Sequence, residues 1–89
     1  MAFVNIGYGN IINSDKIVAM VSPDSAPSKR MLQNSREQGK VVDASQGRKT
    51  RTFIVTDTGY LVLSALQPDT IAGRIKNPNE SLYRGEEDE

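Results

Sequence analysis

Apolar residues fall in short runs along the chain, separated by small polar and charged residues, and nowhere form a long helical stripe. The run FVNI (3–6) predicts a first strand, and GYGN (7–10) a turn in which glycine and asparagine accept positive φ. KIVAMVS (16–22) predicts a second strand. Ser25 is a candidate N-cap for a helix over about 26–38, with Pro27 in the first turn, where a missing amide costs no hydrogen bond, and Gly39 at the C-terminal stop. Apolar anchors on this helix are few, chiefly Met31 and Leu32. VVDAS (41–45) reads as a strand and QGRK as the turn after it. TRTFIVTD (50–57) and GYLVLSAL (59–66) are rich in β-branched and aromatic residues, and too few residues separate them for anything but a hairpin. QPDTIAGRI (67–75) opens on Pro68 and Asp69, a favourable first turn for a short second helix that Gly73 weakens. The expected fold class is α+β: a small, mainly antiparallel β-sheet with two short helices.

The strand pattern raises a packing question. Leu61, Leu63 and Ala65 make one face apolar, yet Tyr60, Val62 and Leu66 on the alternate positions are apolar too, and residues 17–21 repeat the pattern. Both sheet faces therefore need cover, and burial is expected for Phe53 and Tyr60. Two short helices can cover one face, so the reading favours a homo-oligomer that covers the other, because large exposed apolar patches are uncommon on monomers. The competing arrangement wraps one chain's own helices and loops over both faces.

Composition narrows the chemistry. At 89 residues the chain is one domain, near the size at which an isolated core is barely sufficient. It has no cysteine, which removes disulfides and thiolate chemistry, and no histidine, the commonest general base and metal ligand. No apolar run approaches the roughly 18–20 residues that cross a bilayer, and the N-terminus lacks a signal-peptide layout. A soluble cytoplasmic protein without metal or cofactor is the expectation. Asp15, Asp43 and Asp57, with Ser22 and Ser64, show no spacing that would assemble a catalytic site, so no enzymatic activity is expected. GYGN is a lone GxG without a following helix, and a turn is its ordinary meaning.

The formal net charge of zero conceals an asymmetry. Residues 80–89 hold Glu80, Glu86, Glu87, Asp88 and Glu89 against Arg84, a net of −4. The window 27–51 holds Lys29, Arg30, Arg36, Lys40, Arg48, Lys49 and Arg51 against Glu37 and Asp43, a net of +5. A field of that sign attracts polyanions within about 8–10 Å at physiological salt. The expected organisation is a single domain over 1–76 followed by an acidic, disordered tail over 77–89.

QGRKTRTF (46–53) sets three cations within four positions beside a glycine. If the strand starts near Thr50, Lys49 and Arg51 project to one side and Arg48 to the other. Arginine donates two parallel hydrogen bonds to a phosphate, whereas lysine acts as a looser point charge. A short basic turn alone is ordinarily a solvated loop. Three further cations on the first helix, with no comparable acidic cluster between, favour an anion-docking surface. An RNA-binding module would use the same cations with exposed aromatics, and an oligomeric scaffold would need no nucleic acid at all.

Taken together, NIGYGNII (5–12), VSPDSAPSKRM (21–31), VVDASQGRKTR (41–51) and LSALQPDTIAGRI (63–75) resemble the RemA-like extracellular matrix regulatory proteins of bacteria, over roughly residues 3–75. The resemblance implies a cytoplasmic, nucleoid-associated transcriptional regulator of biofilm matrix genes. It also implies a homo-oligomeric ring, by resemblance an octamer, that binds double-stranded DNA with repeated sites through a basic outer surface. Carried over by position, Lys16, Arg48, Lys49 and Arg51 are the implied DNA contacts. Lys29 and Arg30 join them on charge, and Pro27 is implied to serve structure and assembly. Lys16 and Lys49 stand where arginine is frequent, Gln46 where tyrosine is frequent, and the acidic tail has no evident counterpart. A tail of this sign is expected to compete with DNA, so deleting residues 80–89 should tighten duplex binding at low salt; unchanged affinity in an anisotropy titration counts against that.

Overall fold

In a computed structural model of the protein, which describes residues 2–77, nine short elements alternate along the chain. Strands β1 (Phe3–Gly7) and β2 (Asn10–Asn13) form an antiparallel hairpin, followed by a 3-10 turn over Ser14–Lys16 and strand β3 (Ile17–Val21). Helix α1 (Ala26–Glu37) leads to β4 (Val41–Asp43), β5 (Thr52–Thr56), β6 (Leu61–Ser64) and helix α2 (Pro68–Lys76). Four strands form a sheet in the order β3-β5-β6-β4, antiparallel except where β4 runs parallel to β6. The expected α+β class, the β5–β6 hairpin and both helices are therefore present. The predicted acidic tail lies outside the described residues, apart from its first residue, Asn77.

Local chemistry explains the helix bounds. The Ser25 hydroxyl caps α1, its oxygen accepting from the Ser28 amide at 3.2 Å, and Pro27 occupies the first turn. Both features match expectation. Pro68 opens α2 in the same way, with Asp69 beside the positive end of the helix dipole.

The packing expectation needs correction. Each face of the sheet is covered within one chain. Phe53, Leu61 and Leu63 are buried on one face, where Met31 and Leu32 of α1 pack against them. Ile54 and Val62 are buried on the other, with Val4 and Ile6 of the hairpin and Leu66 and Ile71 at and within α2. The cover that the sequence reading assigned to a second subunit is supplied by the β1–β2 hairpin, because residues 10–13 form a strand that the reading of 7–10 as a turn does not include. Tyr60 also departs from expectation: it sits in the β5–β6 turn, 41% exposed, with the Lys40 ammonium 5.9 Å from its ring centroid. Phe53 is buried as expected. The remaining exposed apolar side chains, Phe3, Ile11, Val18 and Val42, lie on the hairpin and on the two edge strands of the sheet. No helix among the described residues is long and apolar enough to cross a membrane.

Candidate nucleic-acid interface

The cations of the basic turn gather at one end of the sheet. β5 starts there and β6 ends there, so the Arg51 amide donates to the Ser64 carbonyl at 2.8 Å. Buried hydroxyls tie that end together: Thr52 Oγ1 donates to the Leu66 carbonyl at 2.7 Å, and Ser64 Oγ to the Ile6 carbonyl of the hairpin at 2.7 Å. Buried hydroxyls persist because they are paired, and pairing fixes the segments they join.

The loop between β4 and β5 is built from two successive turns. Ser45 donates through its amide, at 2.9 Å, and its hydroxyl, at 2.6 Å, to Asp43 Oδ1. The chain then reverses over Gln46 and Gly47, both at positive φ (56° and 75°), with the Arg48 amide donating to the Ser45 carbonyl at 3.0 Å. Two consecutive positive φ values closed by that bond are the signature of a type I′ turn, and glycine carries the second at no steric cost. Arg48 leaves the turn with its guanidinium over the Tyr8 ring, 5.0 Å from the centroid.

Two shallow grooves flank these cations. One, of about 250 Å³, is lined by Tyr8, Arg48, Lys49, Arg51 and Ala65. The other, of about 280 Å³, lies between segments 22–24, 49–51 and 67–68 and shares Lys49 and Arg51 with the first. Segments 22–24 and 67–68 are the approaches to α1 and α2, so the positive dipole ends of both helices face the same end as the cations. α1 carries no acid in its first turn, and Lys29 and Arg30 follow directly. At α1 such cations are mildly unfavourable for the helix, by about 0.3–1 kcal/mol each, and add to the positive potential there, whereas Asp69 offsets it at α2. Asp24 is the acid in the lining.

Lys16 stands apart. Ile17 pairs with Thr56 and Val21 with Phe53, so Lys16 lies level with Asp57 at the far end of β5 from Arg51, about six strand residues or roughly 20 Å away. There its ammonium meets Asp57 Oδ2 at 3.7 Å, and its carbonyl accepts from the Asp57 amide at 2.9 Å. Within one chain, then, Arg48, Lys49 and Arg51 form one cluster, with Lys29 and Arg30 on the helix that starts beside it, and Lys16 belongs to the opposite end.

Comparison with known proteins places the chain in a family. Residues 3–75 match the model of the RemA-like family, described as extracellular matrix regulatory protein A-like. The chain belongs to this family. It is 53% identical over 85 residues to a "Putative regulatory protein" of Geobacillus thermodenitrificans, covering 96% of this chain and 98% of that one. It is 55% identical over 85 residues to a protein of the same description from Bacillus cereus strain Q1, with the same coverage of each chain. A third, from Caldicellulosiruptor saccharolyticus, is 49% identical over 79 residues, 89% of this chain and 78% of that one. Regulatory function is thus a property of the relatives' descriptions as well as of the family's.

Several residues that build this candidate site are not marked by the sequence. Tyr8 reads as a turn residue in GYGN, and nothing local signals that its ring meets Arg48. Thr52 and Ser64 read as alternating strand positions. Asp43 reads as a strand position, a charge and a carboxylate without catalytic partners, although the spacing Asp-x-Ser before Gln-Gly is an available signal for a side-chain turn. Its carboxyl is held below the ordinary value of 3.8 by the Ser45 hydroxyl and then the Ser45 amide, with the Arg36 charge adding and burial opposing. A depressed carboxyl contributes stability that is present above its unfolded pKa and fades as pH falls through the folded one. Asp43→Ala is therefore expected to be less stable than the natural chain at pH 7, with the difference shrinking below about pH 3.8. Urea titrations at pH 7 and pH 3 measure it; a difference that persists undiminished in acid would rule out the carboxylate as the cause.

Proposed function

We propose that this protein is a DNA-binding transcriptional regulator of the RemA-like kind, controlling biofilm and matrix genes from the cytoplasm by binding rather than catalysis. It docks on duplex DNA through the Arg48, Lys49 and Arg51 end of the fold. The observation that carries this reading is the convergence of those three side chains with the N-terminal ends of both helices at one end of the fold. Three or four cations make a weak contact alone. A homo-oligomeric ring repeats the contact at fixed spacing, which turns weak sites into avidity and accounts for operators with repeated sites. The exposed apolar residues of the hairpin and edge strands are the available surface for that assembly, and Lys16 joins the DNA surface by way of an adjoining subunit. Arg30, Gln33 and Asn34 share an exposed face of α1, but the basic turn rather than that face carries the proposed docking, so phosphate contact and the cost of bending the duplex carry the selectivity.

An RNA-binding reading gains little from the exposed rings. The exposed rings among the described residues, Phe3 and Tyr60, line neither basic groove, and Tyr8, which lines one, is half-buried, so no stacking platform accompanies the cations. A scaffold ring would bind no polyanion. Fluorescence anisotropy of a long labelled duplex across a salt series, with assembly mass followed by light scattering, tests the proposal. The expected result is a log K that falls linearly with log salt, and competition by duplex DNA ahead of single-stranded RNA. An assembled protein with salt-insensitive or absent binding would overturn it in favour of the scaffold, and preference for RNA in favour of the RNA module.

A further inference from the structure

Tyr8 occupies a backbone position that its side-chain type disfavours. At the tip of the β1–β2 hairpin it adopts φ 55°, between Gly7 at 112° and Gly9 at 82°. Glycine would take that conformation without the clash a Cβ brings. The tip is also fastened to the basic loop. The Asn10 side-chain amide donates to the carbonyls of Gly7 at 2.8 Å, Tyr8 at 3.4 Å and Ala44 at 3.3 Å. Ala44 begins the loop that carries Arg48, and the Arg48 guanidinium lies 5.0 Å from the Tyr8 ring centroid. Both residues line the same groove. A disfavoured backbone conformation kept at such a point suggests that the ring has work to do there.

A guanidinium lying on an aromatic face keeps its in-plane N–H donors available, while its rotamers are already restricted. Binding then costs less side-chain entropy than it does for a free arginine. Lys49, one residue on, remains a point charge. We propose that Tyr8 is a positioning residue for DNA recognition, holding Arg48 so that two parallel N–H groups meet the oxygens of one phosphate. This inference rests on the duplex-binding function proposed above. It makes Arg48 the directional contact of the basic turn and Lys49 the electrostatic one.

The test is duplex anisotropy at 150 mM salt and across a salt series, with thermal unfolding of every protein. The variants are Tyr8→Gly, Tyr8→Phe, Tyr8→Leu, Arg48→Ala and Tyr8→Gly combined with Arg48→Ala. Tyr8→Gly is expected to lose at least about threefold in affinity, the order expected of one exposed cation–π contact, with an unchanged salt slope because no phosphate contact is deleted. Its Tm should hold or rise, since glycine suits the positive φ. Tyr8→Phe should bind as the natural chain does, and Tyr8→Leu, which keeps apolar bulk without a π face, should bind as Tyr8→Gly does. In the Arg48→Ala background Tyr8→Gly should cost nothing more. Equal binding by Tyr8→Gly and the natural chain, the same loss with and without Arg48, or equal binding by Tyr8→Phe and Tyr8→Leu would each overturn the inference. Should Tyr8→Gly unfold, the Phe and Leu variants decide alone. Failure of the natural chain to bind duplex would overturn the DNA reading and this inference with it, whereas failure confined to the variants leaves the DNA reading standing.

Discussion

Arg48→Ala/Lys49→Ala is expected to weaken duplex binding by about thirtyfold per engaged subunit at 150 mM salt, and to flatten the dependence of log K on log salt by about 1.8. Deleting one phosphate-binding cation takes about 0.9 from the slope, which between 0.15 M and 1 M salt amounts to a factor of about five to six, and the two deletions multiply. A duplex that touches several subunits of a ring compounds the effect. The fold should be unaffected. Both side chains are exposed, and the turn that launches them is held by backbone bonds and by Asp43, Ser45, Gln46 and Gly47. Light scattering and thermal unfolding of the variant provide that control. Unaltered affinity and slope in a correctly assembled variant would mean that QGRKTRTF is a solvated loop and that the ring, if it forms, meets a different partner.

How far these features could be read in advance depended on whether the information was local. Ser25 and Pro27 specify the start of α1 by themselves, and the β-branched runs around Phe53 and Val62 specify a hairpin, so both were legible. The double apolar pattern of those strands was also legible, but what covers the second face was not. That depended on residues 10–13 being a strand, and NIIN is too short to show a period. The same omission moved the packing argument from the chain's own hairpin to a neighbouring subunit. The basic turn was legible as charge and its end-on clustering as a consequence of strand order, yet Lys16 fell outside it. Antiparallel pairing of β3 with β5 sends the start of one strand to the finish of the other, which no local motif announces. The Tyr8 and Arg48 contact joins residues forty positions apart and was invisible for the same reason.

Ile54→Ala is expected to destabilise the domain by about 3–4 kcal/mol. Ile54 is completely buried on β5, an inner strand, between Met20 of β3 and Val62 of β6. On its face it meets the cover provided by Val4, Leu66 and Ile71, which come from separate parts of the chain. Truncation removes the transfer free energy of three carbons and leaves a cavity that these neighbours cannot all close at once, which places the cost in the upper part of the range of about 2–5 kcal/mol for such changes. A domain of this size has a total stability of roughly 4–11 kcal/mol at the usual 0.05–0.15 kcal/mol per residue. One substitution thus consumes a large share of it. Gln33→Ala on the exposed side of α1 should change stability by less than about 0.5 kcal/mol and serves as the control. Urea denaturation at fixed protein concentration separates the two: the midpoint should fall steeply for Ile54→Ala with little change in m, and barely move for Gln33→Ala. A loss below about 1 kcal/mol for Ile54→Ala would mean that the hairpin and α2 do not pack on this face in solution. The second cover would then have to come from another copy of the chain, as the strand pattern alone suggests.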